Sequence, residues 1–70
     1  MIRSKKKISD SKWLVTDGNK YNYELILNAN GLWEIWPEDK GVDWGRVTDI
    51  DEALRLISLW DQSEENNNNN

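Results

Sequence analysis

Four carboxylates crowd one short stretch of this chain: Glu34, Glu38, Asp39 and Asp43 lie around Pro37 in WEIWPEDKGVDWG. Carboxylates at that density can hold a hard cation or share a proton as an acid–base pair. A calcium loop needs oxygen ligands at alternating positions and a closing glutamate. After Asp39 the sequence reads KGVDWG and supplies neither, so the expectation is a solvated acidic turn. A second acidic group, Asp49, Asp51 and Glu52, has the spacing of a capped helix start rather than of a ligand set. The 70 residues include no His and no Cys, which removes imidazole catalysis, thiolate nucleophiles, disulfides and the usual zinc ligands. The Ser and Thr residues have no imidazole base to activate them. We therefore expect no enzyme activity, no cofactor and no metal.

Two other features could carry function. The start, MIRSKKKISD, places Arg3, Lys5, Lys6 and Lys7 together, a cluster able to make non-specific phosphate contacts. The chain also holds five Trp, two of them in NGLWEIW. Indole rings stack on bases and also anchor protein interfaces. Charge is unevenly placed. Residues 1–12 carry five basic groups against Asp10, a local +4, while residues 13–70 carry four basic and twelve acidic groups, a local −8. The net −4 favours solubility.

The elements that must position these groups follow from periodicity and turn chemistry. WLVT (13–16) and YNYELIL (21–27) are β-favouring segments separated by Asp17-Gly18-Asn19. In the second, Tyr21, Tyr23, Leu25 and Leu27 alternate with Asn22, Glu24 and Ile26, the period of a strand with one buried face. A three-residue loop, Ala29-Asn30-Gly31, would put Leu27 opposite Trp33 and Leu25 opposite Ile35, keeping the apolar set on one side. A four-residue loop would mix the faces. Trp33 is then core, and the reverse face reads Glu24, Ile26, Leu32, Glu34 and Trp36. Pro37 lacks an N–H and closes that strand. A short strand within VDWGRV (42–47) follows.

The firmest signal is a helix over about 50–60, with Asp49 as N-cap and Glu52 three residues on. Ile50, Ala53, Leu54, Ile57 and Trp60 form its apolar stripe, and Leu59 points away. The expected fold is α+β: a small antiparallel sheet of three or four strands with one C-terminal helix packed on one face. Residues 1–11 read as a flexible basic arm, 12–61 as a single domain and 62–70 as a disordered polar tail.

In layout, the strand bearing Trp33 and Ile35, the Trp44-Gly45 pair and the Glu52-Ala53 helix start resemble the plant ERF-type and phage-integrase arm-binding DNA modules over about residues 21–57. That resemblance implies a sheet face that reads DNA with basic side chains. Glu24 and Glu34 occupy the corresponding face here and would repel phosphates.

Three roles stay open. The first is a protein-interaction module, a regulator or inhibitor of a basic protein, with Glu24, Ile26, Leu32, Glu34, Trp36 and Leu59 as its contact residues. The second is nucleic-acid binding through Arg3, Lys5, Lys6, Lys7, Trp36 and Trp44. The third is a structural or accessory homo-oligomer, for instance a homodimer. No apolar run reaches the ~18–20 residues of a membrane span, and no apolar segment follows the basic start as in a secretory signal. The expected location is the cytoplasm.

Overall fold

The computed structural model describes the backbone of residues 1–68 and the side chains of residues 1–63. Five strands run in chain order: β1 (Ile2–Ser9), β2 (Lys12–Asp17), β3 (Asn22–Leu27), β4 (Trp33–Pro37) and β5 (Arg46–Val47). They pair antiparallel as a meander, β1-β2-β3-β4-β5, followed by one helix, α1 (Ile50–Asn68).

The β3–β4 hairpin has the register that burial demands, with Leu27 opposite Trp33 and Leu25 opposite Ile35. Asn28 N–H donates to Leu32 O at 2.8 Å, closing the three-residue loop. Gly31 there adopts φ +81°, the left-handed conformation glycine takes without steric cost. Alternation then sorts the side chains. Val15, Tyr23, Leu25, Trp33 and Ile35 point to one face and are buried beneath Ala53 and Ile57 of α1. Among the described residues, no element lies across the other face.

The expectation of three or four strands is corrected to five. The additional strand, Ile2–Ser9, lies in the stretch read as a flexible arm. That stretch shows no apolar alternation because, as an edge strand, all but its first residue are exposed. Its order comes from backbone pairing with β2, through Lys5 opposite Val15, Lys6 opposite Leu14 and Lys7 opposite Trp13. Irregularities fall at each end, between Ile2 and Ser4 and between Lys7 and Ser9. The strand expected within 42–47 is regular only at Arg46–Val47. Upstream, Ile35 N–H bonds Gly45 O and Trp44 N–H bonds Ile35 O, two residues sharing one partner as at a bulge.

The helix begins as its cap residues dictate. Asp49 Oδ1 accepts the Glu52 N–H at 2.8 Å. Glu52 does not return the bond to Asp49; its Oε2 accepts from Thr48, at 3.1 Å from the hydroxyl and 3.4 Å from the N–H. The helix continues past the expected end to Asn68. The tail expected to be disordered over 62–70 thus starts within α1, and its last two positions lie outside the described residues. Asp61 extends the buried stripe and is itself fully buried. Its Oδ1 accepts from Asn19 Nδ2 at 2.7 Å, and its Oδ2 pairs with the α-ammonium of Met1. One carboxylate therefore joins α1 to the start of β1 and to the β2–β3 turn. Among the described residues no helix is long and apolar enough to cross a membrane.

Candidate protein-interaction face

The uncovered face of the sheet is built by the odd-one-out positions of the same alternation. Register places Lys6, Leu14, Glu24 and Trp36 in one row across β1 to β4. Lys12, Ile26, Glu34 and Arg46 form the next row, across β2 to β5. Apolar and charged side chains therefore alternate along and across this surface from β1 to β4, and Arg46 of β5 stands beside Glu34. Leu14 is 40% exposed, while Ile26, Glu34 and Trp36 are half-buried.

Glu34 organises one half of it. Its Oε1 accepts from Trp36 Nε1 at 2.9 Å and its Oε2 from Asn28 Nδ2 at 3.1 Å. Asn28 in turn accepts the N–H groups of Asn30 and Leu32 on its Oδ1, at 2.9 and 3.0 Å. The indole is thereby tied through a carboxylate to the hairpin loop, which limits its rotamers before any partner arrives. Charged acceptors make such bonds shorter and stronger than neutral ones. On the other half, Lys12 Nζ meets Glu24 Oε2 at 2.9 Å. Both side chains are over 40% exposed, so this pair adds little stability. Beside it lies a concavity of ≈ 560 Å³ whose lining includes Ser4, Lys6, Leu14, Thr16 and Glu24. Its rim is held by Thr16 Oγ1 donating to Asn22 Oδ1 at 2.7 Å and by Asn22 Nδ2 donating to Glu38 at 3.0 Å.

The structure brings Glu24, Ile26, Glu34 and Trp36 together on this face, with Leu32 at the hairpin base sharing their parity. Leu59 does not join them. It is 53% exposed on the outer side of α1, which packs against the opposite face. The residues considered for nucleic acid are divided. Lys6 shares the open face, whereas Lys5 and Lys7 pair with Val15 and Trp13 and so point to the other side. Arg3 sits at the register irregularity of β1. Trp36 is bound to a carboxylate, and Trp44 lies on the helix side against Tyr23 and Trp60, with centroids at 6.3 and 5.5 Å.

The four carboxylates near Pro37 do not converge as a group. Glu34 serves Trp36, Glu38 serves Asn22, and Asp43 Oδ2 accepts from Arg46 Nε at 3.0 Å. Among the described residues no group of three or more such side chains could hold a metal ion. Tyr21, Tyr23, Trp44 and Trp60 form an aromatic group on the helix side of the sheet. Its rings pack against one another edge-on or tilted, with centroids 5.2 to 6.3 Å apart.

Sequence reasoning missed Leu14, Lys6 and Lys12 on this face. The signal for Leu14 was present: Val15 faces the core, so its neighbour must face outward. The two lysines needed the pairing of β1 with β2, which no local pattern announces. No protein-family model matches this chain, and no curated protein or solved structure matches it either.

Proposed function

We propose that this chain is a non-enzymatic protein-interaction module of the cytoplasm, and that it receives its partner on the uncovered face of the sheet. The observation that supports this most is Trp36, a large aromatic held by Glu34 on a face that no described element covers, in the same cross-strand row as exposed Leu14, which lines a concavity two strands away. Aromatic anchors of this kind dominate interface energies because they bury much area and lose little rotamer freedom. Glu24, Glu34 and Glu38 around them suit a partner with basic side chains at the contact.

Changing Trp36 to Ser tests the proposal. Circular dichroism and cooperative unfolding should be retained, and association should weaken about thirtyfold, the loss typical of a hot-spot aromatic. Unchanged association by a folded variant refutes the anchor. Nucleic-acid binding is the weaker reading, because β1 splits its lysines between two faces. Titration of labelled single- and double-stranded DNA at about 50 mM salt, against a variant with Lys5, Lys6 and Lys7 changed to Gln, separates the two readings.

A further inference from the structure

Resting on that reading of the open face, we infer that its partner is a second copy of this chain, stacked sheet on sheet about a two-fold axis that runs along β3. The face is self-complementary under that operation. An axis parallel to the strands places β2 of one copy over β4 of the other and keeps each row opposite itself. Leu14 then meets the partner's Trp36, and Lys12 meets the partner's Glu34, each contact occurring twice. Ile26 lies near the axis and meets its own symmetry mate. Glu24 also lies there, and its intrachain bond to Lys12 offsets the approach of two like charges.

Shape agrees with charge. The concavity of ≈ 560 Å³ beside Leu14 is where the partner's Trp36 arrives, so an anchor and a recess on one face serve each other. Packed sheets rotate by about 30° relative to one another, which moves the corners and leaves the central rows in register. The net −4 on each copy opposes approach. At physiological salt charges are screened within about 8 Å, so the close pairs outweigh the overall repulsion.

Size sets the affinity. The strands span roughly 19 Å by 17 Å, a flat area near 320 Å² per copy at ~4.8 Å between strands and ~3.4 Å per residue. That is well below the ~800 Å² per partner of a standard interface, so the dimer dissociates and re-forms with concentration.

The test is sedimentation equilibrium of the full chain from about 1 to about 500 µM, a range that brackets a weak specific dimer. The expected result is a reversible rise to twice the monomer mass. K12E alone, E34K alone and L14Q alone should each weaken self-association at least tenfold while unfolding cooperatively. Mixing K12E with E34K should restore a heterodimer, because each copy then supplies the charge the other lacks. A monomer at every concentration, a dimer untouched by these changes, or a mixture that fails to recover association overturns the inference. A monomeric wild type that still captures another protein in a Trp36-dependent way refutes the second copy alone. A monomeric wild type whose capture ignores Trp36 refutes both readings.

Discussion

Replacing Gly18 with Ala puts a methyl group into the polar junction around the buried Asp61 carboxylate. A Cβ there would lie 2.8 Å from Asp61 Oδ2, 3.4 Å from Asp61 Oδ1 and 3.2 Å from Met1 O. A carboxylate usually swings away from such a clash. This one is fully buried and holds Asn19 on one oxygen and the Met1 ammonium on the other. Retreat loses one of those bonds. Overpacking of this kind costs ~1–3 kcal/mol, and Gly→Ala recovers ~0.4–1 kcal/mol through a less flexible unfolded chain. The net expectation for G18A is a loss of ~1–2 kcal/mol. Changing Asp61 to Ala removes two bonds made by a charged group. Met1 is largely exposed, so its share is discounted and the loss is ~2–3 kcal/mol. At ~4–8 °C per kcal/mol, that change should lower Tm by roughly 10–20 °C. The informative measurement is the cycle. With the carboxylate gone, the added methyl faces only Met1 O, 3.2 Å away on a terminal residue that D61A also releases, so G18A in the D61A background should cost under ~0.5 kcal/mol, a coupling of ~1–2 kcal/mol. Urea unfolding of the four proteins reads it directly. Additivity within about 0.3 kcal/mol would refute the assignment of Asp61 as the atom that Gly18 avoids.

Two further outcomes test the helix start and the sheet edge. Asp49→Ala should cost ~1 kcal/mol in urea unfolding by freeing the Glu52 N–H, and a loss below ~0.3 kcal/mol would show that Thr48 and Glu52 suffice as the cap. Changing Lys5 and Lys7 together to Val should leave β1 in place yet produce concentration-dependent light scattering, since charged side chains guard an exposed edge strand. A variant as soluble as the wild type would show that these lysines do not protect the edge.

What could be read from the residues was whatever burial dictates locally. Leu25, Leu27, Trp33 and Ile35 had one register that kept them on a single face, and Gly31 sat where the loop turns left-handed. Asp49 marked the helix start by chemistry alone. The rest depended on partners far away in sequence. β1 carries no apolar pattern because an edge strand open to water needs none; its order is borrowed from β2. Asp61 looked like an end to the apolar stripe because a carboxylate belongs in water. Its stripe position becomes tolerable only with Asn19 and Met1, 42 and 60 residues away, supplying donors. Of the open face, Glu24, Ile26, Glu34 and Trp36 followed from the hairpin register, while Lys6 and Lys12 waited on strand order.

Strand order also converts a one-dimensional property into a surface one. In a meander, distance along the chain becomes distance across the sheet, so the +4 of residues 1–12 gathers at the β1–β2 side and much of the acidic remainder at the β3–β5 side and the start of α1. The two sides lie only ~10–20 Å apart at ~4.8 Å per strand, comparable to the screening length in physiological salt. A uniformly anionic partner would satisfy Lys6 and Lys12 and be repelled by Glu24, Glu34 and Glu38; a uniformly basic one meets the reverse conflict. Only a partner that is itself divided, basic opposite the acidic half and acidic opposite the basic half, satisfies both at once. A second copy turned about β3 has that division by construction. Salt should affect such a pairing weakly, since raising it relieves the long-range repulsion of two −4 bodies while it also weakens the exposed Lys12–Glu34 pairs, two effects of opposite sign. A nucleic-acid complex held by the β1 lysines would instead weaken steeply as salt rises.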